Sequence, residues 1–136
     1  MYTSRVFEPN KRVSFKDYNK VGRFVADCFK FDKTERFMVV LLDAKDKLIN
    51  TCTLAEGDFD GVNVNMMRLL QLVVLKQAAK IIIAHNHFEK DLCESVNDML
   101  LTNTIEDALK SLGVQLKEHY IVCDKDYIGL KQGKNF

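Results

Sequence analysis

Apolar and polar positions recur along these 136 residues with a period that changes from segment to segment, and each change predicts an element. Residues 1–13 show no period and are expected to form an irregular arm. Ser14 and Asp17 read as a capping box. Beyond them Tyr18, Val21, Phe24, Val25 and Cys28 hold helical spacing, which predicts an amphipathic helix within 14–30, running to about Phe29. The run "RFMVVLLD" predicts a buried strand over 36–43, "AKDK" a turn, and "LINTCTLAEG" its antiparallel return. Residues 57–61 predict a loop. Asn65 is placed to cap a helix over 66–78, apolar on nearly every side and therefore expected to be buried on more than one face. Residues 80–84 are too few and too β-branched for a helix and predict a second buried strand. A loop with His87 and Cys93 leads to a helix starting near Ser95, on which Leu101, Ile105, Ala108, Leu109 and Leu112 keep helical spacing. Gly113 is its expected terminator. "VQLKEHYIVC" and "YIGLK" predict two closing strands joined at 124–126.

The order α, β, β, α, β, α, β, β places a hairpin at each end of a central α-β-α unit. It predicts an α/β fold with one mixed sheet and helices on its faces. The length suits a single domain over 1–136. Hydrophobic content of 47% and charged content of 29% are ordinary for a soluble globular chain. Twenty basic against 19 acidic residues leave a net charge of +1, which gives no electrostatic footprint for nucleic acid. The basic group Lys11, Arg12, Lys16 and Lys20 lies among acids and reads as a solvated face. No apolar run approaches the ~20 residues of a membrane helix, and the amino terminus has no signal-peptide core. None of Cys28, Cys52, Cys93 and Cys123 forms a CxxC pair, which removes zinc-ribbon and thioredoxin-like motifs. Isolated cysteines without a secretion signal suit a reducing compartment, hence the cytoplasm. Three read as small core hydrophobes, and Cys93 is placed to face whatever the neighbouring histidines build.

The chemistry concentrates in "IIIAHNHFEKDLCESVND". Residues i and i+2 of an extended chain point to one side, so His85 and His87 can aim into one space at the end of their strand. Ten residues intervene before Asp98, in the first turn of the next helix. Two imidazoles and a carboxylate are the three protein ligands that a catalytic zinc takes. Spacing alone leaves a plainer reading open: a buried strand that ends in two histidines, then a helix cap at Ser95 with an acid in its first turn. The contiguous "HNH" is not the dispersed set of the HNH nucleases. The H-E-x-x-H helix of the zincins and the P-C-x-x-C of the zinc deaminases are absent.

The HxH, the ten-residue gap, the Asp, and a Ser three before it resemble the JAMM signature of JAB/MPN metal-dependent hydrolases. "IIIAHNH" followed by "SVNDMLLTNTIEDALKSLGVQLKEHYIV" is similar to the RadC branch, over about residues 30–130. The resemblance implies a three-layer JAB/MPN (cytidine-deaminase-like) architecture, with Zn²⁺ held by His85, His87 and Asp98. It implies that Glu35, in "TERFMVVLLD", is the general base, that Ser95 assists the oxyanion, and that a metal-activated water attacks a peptide or isopeptide bond. A peptide or protein substrate follows; no oligomeric state does. His119 matches a histidine of the RadC branch and is expected to order the sheet by a hydrogen bond. The alternative function is a non-catalytic, metal-stabilised scaffold acting with partners in DNA repair or on mobile elements, which would need neither Glu35 nor Ser95. Departures lie around the ligands: Phe88 stands where the branch has proline, Glu89-Lys90 where it has serine-glycine, and Glu94 where it has a second proline. Met66-Met67-Arg68 replaces a proline-arginine-glutamate cluster. These changes bear on the loop and the substrate, while the ligand types are kept. The helix-hairpin-helix region that precedes this domain in RadC proteins has no counterpart here, so the catalytic-type domain is expected alone.

Overall fold

The computed structural model describes residues 14–57, 64–88 and 96–136. The arm at 1–13, most of the 57–61 loop, Cys93 and Ser95 lie outside them. The elements run α1 (Tyr18–Cys28), β1 (Arg36–Leu42), β2 (Leu48–Glu56), α2 (Met66–Leu75), β3 (Lys80–Asn86), α3 (Val96–Lys110), β4 (Gln115–Cys123) and β5 (Asp126–Gly129). This is the predicted order.

The strands form one mixed sheet in the order β2-β1-β3-β4-β5. β1 is antiparallel to β2 and to β3, β3 is parallel to β4, and β5 returns antiparallel on β4. The parallel pair is joined through α3, the usual solution where two parallel strands need a crossover. Alternation along β1 shows why three layers result. Phe37, Val39 and Leu41 pack with Leu69 and Val73 of α2 and Leu101, Ile105 and Leu109 of α3. Met38, Val40 and Leu42 pack with Val21, Phe24 and Val25 of α1. A strand buried on both faces must be apolar throughout, and "FMVVLL" is. Each such side chain contributes roughly 1.5–3 kcal/mol when fully buried.

Local chemistry sets the boundaries. Asp17 alone caps α1, its carboxylate accepting from the Lys20 N–H at 2.9 Å. The expected Ser14–Asp17 box is corrected, since Ser14 sits one turn earlier and its carbonyl and hydroxyl accept from Asp17 and Lys16. Asn65 caps α2 as predicted, accepting from Arg68 N–H at 3.1 Å. The Asp43 side chain accepts from the Lys45 and Lys47 N–H groups and folds the β1–β2 turn. Asp46 occupies the left-handed region there, with φ 66°, a conformation that Asp tolerates better than most residues. Gly113, at φ 72°, ends the α3 segment.

Two expectations fail in this region. α2 is three residues shorter than 66–78 and is not buried on several faces: Leu69 and Val73 are its buried residues. Met67, Val74 and Leu75 are 65%, 58% and 76% exposed. Apolar residues around a whole helix show that burial on all sides is affordable to the sequence, while only the packing partners decide it. β3 is two residues longer than predicted and takes in His85 and Asn86, because both continue the backbone pairing with β1 and β4. No helix among the described residues is long and apolar enough to cross a membrane.

Candidate metal centre

Parity in β3 determines where the first histidine points. Ile81 and Ile83 face α2 and α3, so His85 faces them too, and His87 follows two residues later. His85 is 1% exposed. α3 starts where the chain turns back over this face, which brings Asp98, in its first turn and itself 4% exposed, against both rings. His85 Nε2 lies 3.2 Å from Asp98 Oδ1, His87 Nε2 lies 3.7 Å from Oδ2, and the two Nε2 atoms are 2.9 Å apart. Taking one ligating atom from each residue, all three lie within 4.8 Å of one another.

These spacings fit a small divalent cation. Tetrahedral zinc bonds of ~2.0–2.1 Å put ligand atoms about 3.3 Å apart, and the separations of 2.9, 3.2 and 3.7 Å straddle that value. The donor set of imidazole nitrogen and carboxylate oxygen suits the same ion. The group could hold a metal.

Glu35 lies immediately before β1, the strand that pairs Phe37 with His85 of β3, and its carbonyl accepts from Gly57 N–H at 2.9 Å. The backbone on either side of Glu35 is fixed by Asn86, the middle residue of the HxH. Asn86 Oδ1 accepts from Arg36 N–H at 2.8 Å, and its Nδ2 donates to the Thr34 carbonyl at 3.2 Å. Arg36 is itself held: its guanidinium donates to Asp32, Thr53 and the Cys28 carbonyl and lies over the Phe29 ring. The segment bearing Glu35 is therefore tied to β3, β2 and the end of α1 at once.

His119 makes the hydrogen bond expected from sequence, its ring meeting that of His85 across the β3–β4 pair, and so extends the histidine cluster. Ile81 pairs with Leu116 but Ile82 pairs with Glu118, so the register slips by one residue at Lys117. A one-residue slip reverses which face every later side chain meets. Beyond it His119 lies beside Ile83 and points at α3, while Tyr120 and Val122 join the α1 side. His119 Nε2 is 3.0 Å from His85 Nδ1, and its Nδ1 is 2.7 Å from the Thr102 hydroxyl. His119 is fully buried. Burial foremost, then the neighbouring His85 ring, hold its imidazole well below the ordinary pKa of 6.5, against the opposing pull of Asp98.

The RadC-like JAB domain family matches residues 15–135. The chain belongs to that family. A UPF0758 protein of Clostridium perfringens is 30% identical to it over 112 residues, which is 82% of this chain and 49% of the relative. A UPF0758 protein of Syntrophotalea carbinolica is 31% identical over 98 residues, 72% of this chain and 43% of the relative. One from Alteromonas mediterranea is 29% identical over 118 residues, covering 87% and 52%. This RadC-like chain thus spans about half the length of the curated relatives it matches. The mixed five-stranded sheet with three helices agrees with the JAB/MPN fold that the sequence pointed to.

Of the expected site residues in this RadC-like domain, His85, His87 and Asp98 converge, and Glu35 lies one residue before β1, the strand next to β3. Ser95 and Cys93 fall outside the described residues. Sequence reasoning missed Asn86 and Thr102. Thr102 had a signal: Asp98, Leu101, Thr102, Ile105 and Leu109 are one buried stripe of α3, and a hydroxyl in an apolar stripe requires a partner. Beside His87 and Phe88 an open groove of about 1320 Å³ passes Phe29, Phe31 and the turn at 123–126. Phe31 is 85% and Phe88 52% exposed along it.

Proposed function

We propose that this domain is a zinc-dependent hydrolase of JAMM type, a metallopeptidase or isopeptidase, with His85, His87 and Asp98 as ligands. The observation that carries the reading is the convergence of two imidazoles and one carboxylate at zinc spacing, and the Glu35 segment, pinned by Asn86 between the two histidines, supports it. Zinc, when bound, supplies Lewis acidity and lowers the pKa of water from 15.7 toward ~7.

The chain's own residues do the rest. Glu35 takes a proton from the attacking water as its oxygen bonds to the carbonyl carbon. It then gives that proton to the amine nitrogen as the C–N bond breaks. A positioned acid/base group of this kind contributes roughly 10²–10⁴-fold. Asn86 and Arg36 hold the Glu35 backbone, which limits the carboxylate's wandering between the two transfers. Ser95, just ahead of α3, is the proposed oxyanion donor, and such a donor is worth about 3–4 kcal/mol in the transition state. The amino end of α3 adds its positive dipole to the same spot. The groove along Phe31 and Phe88 gives a peptide or protein a path to His87. Peptide hydrolysis in a reducing cytoplasm would be compatible with the free thiols of Cys28, Cys52 and Cys123.

The test is metal analysis of the purified protein followed by a peptide and isopeptide library. Glu35→Gln should retain about one zinc per chain and lose turnover by at least the ~10²-fold of a lost acid/base group. Zinc lost with Glu35→Gln would make Glu35 a ligand. Zinc retained, with no substrate cleaved by either form, would favour the scaffold in which the site only stabilises the domain.

A further inference from the structure

We propose that Thr102 and His119 form a one-way hydrogen-bond relay that fixes the tautomer of His85 and so presents Nε2, its unprotonated nitrogen, to the metal. The inference rests on the metal-site reading above and adds two residues to it.

The direction of the relay follows from counting protons. The Thr102 hydroxyl lies 2.8 Å from the Asp98 carbonyl oxygen and 2.7 Å from His119 Nδ1. A carbonyl oxygen can only accept, and a hydroxyl has one hydrogen to give. Both contacts are hydrogen bonds in one arrangement: Thr102 donates to Asp98, and His119 Nδ1–H donates to Thr102. His119 is fully enclosed by protein, and its two ring nitrogens meet the His85 ring and the Thr102 hydroxyl, so a second ring proton would bury a cation at high cost. With its one proton on Nδ1, Nε2 is bare. That nitrogen is 3.0 Å from His85 Nδ1, so the proton between them belongs to His85. A neutral His85 protonated on Nδ1 has its lone pair on Nε2, the atom beside His87 Nε2 and Asp98.

The chain therefore runs from metal ligand to ring to hydroxyl to the backbone of the residue that supplies another ligand. Histidine ligands commonly donate their second nitrogen to an outer partner, which fixes tautomer and ring orientation. Here the outer partner is itself a histidine, which offers an acceptor on one side only because Thr102 claims the proton on the other. The register slip at Lys117 is what turns His119 toward this task.

Histidine-selective ¹⁵N labelling and two-bond ¹H–¹⁵N correlation spectra of the metal-free domain read the relay directly. The expected result is protonated Nδ1 and bare Nε2 for His119, assigned with His119→Gln. A proton on Nε2 of His119 would overturn the proposal. Zinc affinity by chelator competition supplies the second measurement. Thr102→Val keeps the shape but removes the hydroxyl, frees the His119 tautomer, and should weaken zinc by roughly 10–100-fold. Thr102→Ser should restore it. Equal zinc affinity in wild type and Thr102→Val, with both folded by circular dichroism, would also overturn the relay. Absence of zinc binding in the wild type would instead end the metal-site reading, and the metal-free spectrum would still decide the direction of the relay.

Discussion

The sheet buries ionisable groups at both of its ends, and the two ends differ in sign. At the end where β1 turns into β2, Asp46 accepts from Lys117 at 2.6 Å and Lys80 at 3.1 Å, and Lys117 also donates to the Phe15 carbonyl. Its ammonium lies over the Phe136 ring as well. Positive and negative charge are both supplied by the chain. At the other end His85, His87, His119 and Asp98 gather ring nitrogens and carboxylate oxygens against one another. The lesson is in the chemistry of completion. A cluster that contains its own counter-charge is finished as architecture, whereas one in which imidazole nitrogens and carboxylate oxygens crowd together is suited to a cation from outside.

The largest effect should come from unbalancing the finished end. Lys117 is 2% exposed, and Asp46→Ala leaves its charge in the sheet without a carboxylate, which typically costs ~3–5 kcal/mol. Urea unfolding should show that loss, while zinc binding per folded chain stays unchanged. A cost below about 1 kcal/mol, the range of an exposed pair, would show that the Phe15 carbonyl and Phe136 ring suffice and would weaken the contrast.

Next comes the end that awaits an ion. Zinc at 100 times its Kd should stabilise the domain by about 2.7 kcal/mol, and His87→Ala should abolish the gain while changing the metal-free stability little. Equal zinc stabilisation of both forms would remove His87 from the ligand set.

Smaller is the effect of the clamp behind Glu35. Asn86→Ala strips two hydrogen bonds from Thr34 and Arg36. It should cost roughly 1–3 kcal/mol and lower turnover with zinc stoichiometry intact. Metal loss would mean that Asn86 acts through His85 and His87.

The mildest signature is in acid. Burial would raise the Asp46 carboxyl, but hydrogen bonds from Lys117 and Lys80 outweigh it and hold the group below 3.8. Its contribution is therefore present above pH 3.8 and lost as pH falls through the depressed value. Asp46→Asn should flatten that part of an acid-unfolding curve. An unchanged curve would place the acid sensitivity elsewhere, including the histidine end.

The sequence was most legible where one physical rule acts alone. The β1 run "RFMVVLL" had to be a strand with two covered faces, and HxH on an extended chain had to aim two rings one way. The site's outer parts were less legible because they depend on events distant in sequence. Nothing in "KEHY" announces that the pairing slips at Lys117, so the face met by His119 could not be read from alternation. Asn86 reads as a spacer until β1 is laid beside it. α2 misled for a related reason: apolar composition records what a helix tolerates, while burial records what the fold puts against it.

The slip at Lys117 has a practical corollary. In a regular β4, the position that now hosts an imidazole would look out on the α1 layer, and a tyrosine would replace it over α3. Anyone grafting this centre onto an idealised scaffold would have to transplant the irregularity along with the histidine, since a perfect ladder would carry the right letters on the wrong side.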